Sequence, residues 1–267
     1  MLEKKIIVSL TSFPAAISFA ARAVQSILDG SIKPDKVVLY LTFSQFPNGE
    51  IPPKLIALAN ENPLFEIRHY EQDIRSYRKL IPALKDFPND IIVTVDDDVF
   101  YHRNMLRDLL RLHERYPDAM IAHRVKRLKL DTPYRKWKKY RWYSFFTDDL
   151  RPRFGNLQTG VGGVLYPPNS LKPEMLDPNI FTEIAPTVDD IWFWAAAVAN
   201  GTKIAPTHFS HNKPSGLGKP KELSLKKINV KSGSDINRIV LEKILEIYPI
   251  IRQRIEDEIR GGFPTGS

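Results

Sequence analysis

The stretch "DIIVTVDDDVFY" (Asp90 to Tyr101) runs five apolar or β-branched residues, Ile91 to Val95, straight into three carboxylates. Adjacent carboxylates repel, and an opposing charge must offset that cost. A divalent cation does so. Mg2+ and Mn2+ take oxygen ligands and share them with substrate phosphates. In an extended segment alternate residues face the same way. Asp96 and Asp98 are therefore expected to converge on one site, with Asp97 directed elsewhere. The alternative is an acidic, solvated turn.

A second carboxylate pair stands at Asp189-Asp190, ahead of "IWFWAAAVANG". Aspartate favours helix N-caps, so one of the two is expected to cap this helix and leave the other free. Trp192 and Trp194 either stack on a ligand ring or fill the core.

These groups need a scaffold, and the chain supplies a regular one. Strands are expected at Lys4–Leu10, Lys36–Thr42, "LFEIRHY" and "DIIVTV". Helices are expected at Ala15–Leu28, "PPKLIALANEN" and "SYRKLIPALKDF", the last disturbed at Pro82. Strand followed by helix, repeated, is the pattern of an α/β domain with a largely parallel sheet. Ligands of such sheets bind beyond the carboxyl ends of the strands, where Asp96 to Asp98 fall. A helix at "NMLRDLLRLHERY" and strands at "DAMIAHRV" and "GVGGVLYPP" follow, the last broken by glycines. Helical spacing of Ile244, Ile247, Tyr248, Ile251, Ile255 and Ile259 predicts a terminal helical segment, interrupted near Pro249.

The 267 residues are 43% hydrophobic and 26% charged, enough for a core. Cysteine is absent, which excludes disulfides and thiolate metal sites and suits a reducing compartment. The N-terminal apolar run is too short for a secretory signal, and no run approaches the ~18 residues of a membrane span. A cytoplasmic location is expected. Net charge is +8, which favours anionic partners. Neither G-x-G-x-x-G nor G-x-x-x-x-G-K-[ST] occurs, so a dinucleotide dehydrogenase or P-loop kinase lacks its phosphate loop.

Four stretches, "VSLTSFPAAI", "SIKPDKVVLYLTFSQFP", "RSYRKLIPALKDFPNDIIVTVDDDVFY" and "VDDIWFWAAAVANG", carry a resemblance. In this order they resemble bacterial glycosyltransferases of the GT-A fold, above all enzymes of surface polysaccharide or lipopolysaccharide synthesis. The resemblance runs from Ile6 to about Lys219. It implies a Rossmann-like α/β fold with a mainly parallel central sheet flanked by helices. It implies one domain over residues 1–267, with a nucleotide-sugar-binding half (1–101) and an acceptor-binding half (102–267). The activity implied is metal-dependent transfer of a sugar, a hexose foremost, from a UDP-sugar to a glycan or lipid-linked acceptor, with inversion.

The resemblance also implies roles. Asp98 would bind Mn2+ or Mg2+, and Asp96 would share the metal or contact the ribose, with Asp97 beside them on the donor. Thr11 and Ser12 follow the first strand, where such enzymes hold the nucleotide. In "YEQDIRSYRKL", Asp73 would accept a hydrogen bond from uracil, and Arg75 or Lys79 would meet phosphate. The alternative for Asp73 is a helix N-cap, and Arg78 reads as a solvated helix residue. Asp190, with Asp189 close behind, would be the general base. Gly160, Gly162 and Gly163 would let backbone approach the sugar, or else mark a bulge. His211, Gly216, Lys219 and Pro220 are similar to an H-x-x-G-x-x-K-P-W signature of certain retaining enzymes, with a longer first gap and no tryptophan. They imply His211 (with His208 nearby) as a metal ligand and Lys219 on the diphosphate.

From Arg124 to Arg141 nine cations face one acid, Asp131, with aromatics such as Trp137 interleaved. This suits peripheral contact with an anionic membrane at the inner face of the plasma membrane. Nucleic acid is not the expected partner. Two rivals keep a place: a metal-dependent nucleotide-sugar phosphohydrolase, and a noncatalytic basic RNA-binding protein.

Overall fold

The computed structural model describes residues 4–46, 49–133, 136–139, 151–207, 215–218 and 235–261. Four parallel strands form the first half of the sheet: β1 (Ile6–Thr11), β2 (Lys36–Leu41), β3 (Phe65–His69) and β4 (Ile91–Thr94). After the two-residue strand β5 (Val99–Phe100), β6 (Met120–Ala122) rejoins the main sheet. A separate three-stranded sheet holds β7 (Val125–Arg127), β8 (Lys138–Lys139) and β9 (Asn156–Gln158). The main sheet is completed by β10 (Val164–Tyr166) and β11 (Ile204–Pro206). Its order is β11-β6-β10-β4-β1-β2-β3, and only β10 runs antiparallel to its neighbours.

Both faces of the inner strands β1, β2 and β4 are buried, which is why they read as unbroken apolar runs. Ile7, Val38, Tyr40 and Ile92 enter one core layer, and Val8, Leu10, Leu39 and Val93 the other. Helices α1 (Ile17–Leu28), α2 (Pro53–Glu61) and, later in the chain, α4 (Met105–Arg115) cover the second layer through residues such as Val24, Leu55 and Leu109. The first layer takes α3 (Ile81–Asp86), α6 (Asp189–Asn200), α7 (Ile236–Ile247) and α8 (Pro249–Arg260). A short helix, α5 (Pro178–Ile184), adds Phe181, whose ring stacks on Tyr77 with centroids 4.1 Å apart.

The expected α/β pattern is present, and three local expectations need correction. "SYRKLIPALKDF" breaks at Pro82 as expected, into a 3₁₀ turn, Arg75–Lys79, and α3, because Pro82 suits only the first turn of a new helix. "DAMIAHRV" divides between two sheets, as β6 and β7. "GVGGVLYPP" contributes only Val164–Tyr166 as strand; Gly162 and Gly163 precede it at φ +112° and +100°, a conformation that requires glycine. The N-cap of α6 is Val188, and no side chain caps it. Asp189 and Asp190 lie one and two positions further in, with their carboxylates engaged elsewhere. The end of α6 at left-handed Gly201 is as expected, as is the break at Tyr248-Pro249. Trp192 and Trp194 are core residues whose indole N–H groups donate to the carbonyls of Met175 and Phe154. No helix among the described residues is long and apolar enough to cross a membrane.

Candidate active site

The parallel strands β1 to β4 end at one edge, and the three aspartates follow β4 there. They do not continue the strand. Residues 97 and 98 form a turn, so strand alternation is not what separates the side chains. The backbone N–H of Asp96 donates to the Tyr101 hydroxyl at 2.7 Å, and Tyr101 N–H donates to Ser26 Oγ at 3.0 Å. The buried tyrosine thereby fixes the turn from beneath. Asp97 is buried and its carboxylate accepts from the Ser12 hydroxyl, so it faces the protein rather than the cleft. Asp96 and Asp98 stay partly open to solvent. β5 pairs antiparallel with β12 (Ser215–Gly216), and Leu217 N–H donates to the Asp98 carbonyl at 2.8 Å. Residues 215–218 therefore run directly beside the aspartate turn.

Lys79, expected to meet phosphate, is instead buried between carboxylates. Its Nζ lies 3.3 Å from Asp96 Oδ1 and 3.0 Å from Asp189 Oδ2. Burial opposes its charge, but Asp189, Asp96 and Asp190 outweigh burial and hold it well above the ordinary lysine range. Asp189 also accepts from the Ser76 hydroxyl at 2.9 Å. These partners explain why it does not cap its own helix.

Asp190 accepts from the backbone N–H of Gly160 at 3.0 Å, and its carbonyl accepts from Gln158 Nε2 at 3.1 Å. Burial, and then the charge of Asp189, push its carboxyl up to about 7, against the downward pull of Lys79. Gly160 occupies the centre of this arrangement. A methyl group there would lie 2.8 Å from Lys79 Nζ, 3.3 Å from Asp96 Oδ1 and 3.4 Å from Asp190 Oδ1. Residues from four chain segments thus meet at one point beyond the sheet edge.

Arg78 corrects a further expectation. It is 1% exposed, not solvated. Its Nε donates to Thr11 Oγ1 at 2.8 Å, and Nη2 donates to the Ser12 carbonyl at 3.0 Å and Gln45 Oε1 at 2.9 Å. Nη1 reaches Asp73 Oδ1 at 3.3 Å. One planar guanidinium therefore ties together the loops after β1, β2 and β3. Asp73 does not cap a helix. It accepts from Arg75 N–H and Arg78 through Oδ1 and from Gln45 Nε2 through Oδ2. Arg75 itself is exposed and held at φ +52°, a strained backbone state for a residue with a side chain. Arg78→Met is expected to destabilise the fold by about 1–3 kcal/mol, because three loop ends lose one shared donor. Arg78→Lys should recover little, lacking the fork. Thermal unfolding checks both.

The other expected residues fall as follows. Gly163 packs on α4, where a methyl group would stand 3.2 Å from Met105 Sδ, so its smallness serves the core. His208, His211 and Lys219 lie outside the described residues. Among the described residues no group of three His, Asp or Glu side chains forms a metal cage. Asp96 and Asp98 supply oxygen donors from a partly open turn, which fits a hard divalent ion that completes its shell with substrate oxygens. Sequence reasoning missed Arg78 as a hub, Lys79 as the counter-ion of the acids, and Tyr101 under the turn. The sign available was the apolar setting of the cations, between Tyr77 and Leu80-Ile81.

No protein-family model matches the sequence, and no curated protein matches it. Solved structures do. The mannosyltransferase PcManGT from Pyrobaculum calidifontis, in complex with GDP-Man and Mn2+, is similar with a TM-score of 0.52 and 12% identity, covering 100% of this chain and 77% of that one. TarS 1–349 from S. aureus gives a TM-score of 0.45 and 10% identity over 90% of this chain and 70% of that one; likeness at that level carries no argument. The first comparison shows the fold alone: this chain shares the mixed α/β architecture of that structure.

Proposed function

We propose that the protein is a metal-dependent glycosyltransferase that moves a sugar, a hexose foremost, from a nucleotide-sugar to a glycan or lipid-linked acceptor. The observation that carries this reading is the convergence of Asp96, Lys79, Asp189, Asp190 and Gly160 at the carboxyl edge of the sheet. The fold shared with a GDP-Man- and Mn2+-bound mannosyltransferase supports it. The sequence resemblance supports UDP as the nucleotide and surface polysaccharide or lipopolysaccharide as the product.

In this reading Asp96 and Asp98 hold Mn2+ or Mg2+. A bound ion would neutralise the charge growing on the departing nucleoside diphosphate. Thr11, Arg75 and Asp73 surround the nucleotide, with Arg78 and Gln45 fixing their loops, and Gly160 leaves room for the sugar. Asp190 takes the proton from the acceptor hydroxyl as it attacks the anomeric carbon. A base on the acceptor side gives inversion. Asp189 and Lys79 hold the charge balance around it. The cationic stretch after β6 supports peripheral contact with an anionic membrane through its charges, since Trp137 is buried and its indole N–H donates to the Thr132 carbonyl.

Calorimetry tests the core of the proposal. UDP is expected to bind at least about tenfold tighter with Mn2+ than with EDTA, and Asp98→Ala should erase that difference. A panel of UDP- and GDP-sugars scored by thermal stabilisation then identifies the donor. Equal UDP affinity with and without Mn2+ would remove the metal from the reading. Nucleoside monophosphate and sugar 1-phosphate released from a nucleotide-sugar without any acceptor would favour the phosphohydrolase.

A further inference from the structure

The contact between Asp190 and Gly160 joins two separate elements. Asp190 stands in the first turn of α6, and Gly160 follows β9 by two residues. Each element has a far end: Val198 to Gly201 for α6, and Phe154-Gly155 for the segment that contains β9. One helix, α8, grips both ends.

Glu258 of α8 brings its carboxylate to two consecutive backbone N–H groups. Oε1 accepts from Phe154 at 3.0 Å, and Oε2 accepts from Gly155 at 3.2 Å. Two charge-assisted bonds to one carboxylate make a strong and directional tie. The carbonyls of the same two residues go to other elements. Trp194 Nε1 of α6 donates to the Phe154 carbonyl at 2.8 Å, and Leu128 N–H donates to the Gly155 carbonyl at 2.8 Å. Every backbone polar group of this pair is therefore bonded. Lys203 Nζ, 3.8 Å from Glu258 Oε1, offsets the carboxylate charge.

Arg254 lies one turn earlier on the same side of α8. Its Nη1 donates to the Val198 carbonyl near the end of α6. Buried Ile251 and Ile255 seat α8 in the core, so both side chains reach out from a fixed base. At the other end of the β9 segment, Gln158 donates to the Asp190 carbonyl and Gly160 N–H to its carboxylate. Between the two ends, β9 is paired with β7 through Val125–Gln158 and Arg127–Asn156. A packed, paired strand passes a shift along its length and does not absorb it.

We infer that Glu258 is a positioning residue for Asp190, and that Arg254 assists it by holding α6 from the same helix. This rests on the glycosyltransferase reading, in which Asp190 takes the acceptor proton, and deepens it by making α8 part of the support of that base. A reacting group misplaced by about 1 Å can cost on the order of a hundredfold in rate.

Hydrogen exchange followed by mass spectrometry tests the support without any substrate. In Glu258→Ala the peptide from Phe154 to Gly160 is expected to exchange on the order of tenfold faster, beyond any change at the β1 peptide. Glu258→Gln keeps one acceptor oxygen, so its effect should be about threefold. Turnover supplies the second arm, with Mn2+, the donor that the thermal panel identifies, and water as acceptor. Water gives its proton to Asp190 as its oxygen bonds to the anomeric carbon and the nucleoside diphosphate leaves. The released diphosphate is measured. Glu258→Ala should lower kcat at least about fivefold and change the donor KM by less than about twofold. In the Asp190→Asn background the same substitution should lower kcat by less than about twofold, because the group it positions is already gone. Glu258→Gln should restore much of the turnover.

Unchanged exchange from Phe154 to Gly160 in Glu258→Ala overturns the inference. So does an equal fall of kcat in both backgrounds, which leaves Glu258 a purely structural role. A loss carried by KM overturns it as well. If the wild-type protein binds neither UDP nor GDP with Mn2+, the glycosyltransferase reading falls and takes the inference with it. If nucleotide binds and the exchange or the double-variant comparison fails, only the role of Glu258 falls.

Discussion

Asp190→Asn is expected to lower sugar transfer by roughly 10²- to 10⁴-fold, the usual contribution of a positioned general base. Mn2+-dependent UDP binding should change by less than about twofold, because in the proposed reading Asp190 serves the acceptor hydroxyl and not the nucleotide. The amide keeps the Gly160 N–H bond through its carbonyl oxygen, so the loss reports the proton and not the shape. A carboxyl held at about 7 is half protonated near neutrality. Transfer in the wild-type enzyme should therefore rise with pH through about 7 to a plateau. Asp189→Asn removes the neighbouring negative charge, so the midpoint should move to lower pH. A midpoint that moves upward in that variant, or an Asp190→Asn enzyme with full activity, sinks the assignment.

The same carboxyl makes a stability prediction. Its folded-state value lies above the ordinary 3.8, so between about 4 and 7 the folded protein binds more protons than the unfolded chain. Stability from this group must then fall as pH rises through that window. In Asp190→Asn that component of the slope disappears. Thermal midpoints of both proteins at several pH values measure it.

Lys79→Met is the second large effect. Removing one partner of a buried ion pair leaves the remaining charge uncompensated, at a cost of about 3–5 kcal/mol. For a chain of this size that is a fall of about 10 °C in thermal midpoint. Here one ammonium serves Asp96 and Asp189 directly, with Asp190 close by, so its loss also raises the Asp190 carboxyl further. The pH profile of any residual transfer should move to higher pH. The double variant Lys79→Met with Asp189→Asn should regain a good part of the stability, because it deletes charge on both sides. Additive losses in the double variant would show that Lys79 and Asp189 do not act as a pair.

The α/β layering was legible in the residues because burial on both sheet faces leaves a simple trace. "KKIIVSL", "KVVLYLT" and "DIIVTV" are apolar without alternation, and helical spacing lies between them. The aspartate turn was legible for a related reason. Three acids after a buried strand need a function or a compensating charge, and both expectations are local. The break at Pro249 and the stop at Gly201 follow from backbone chemistry that one residue determines.

The roles of Arg78, Lys79 and Gly160 were not legible, because each depends on partners far along the chain. Arg78 is buried by Thr11, Ser12 and Gln45, and Lys79 by Asp96 and Asp189, more than a hundred residues away in the last case. Gly160 matters only because Asp96, Lys79 and Asp190 arrive around it. Asp189 and Asp190 look like helix caps in isolation. Only the packed molecule offers Ser76, Lys79 and the Gly160 N–H as better partners. By itself the sequence determined the layers, the sheet edge and the presence of acids there, since periodicity and adjacency are properties of neighbouring residues. Tertiary structure decided which acids meet which cation, and which carboxyl holds its proton near neutrality, because charge and burial act through space.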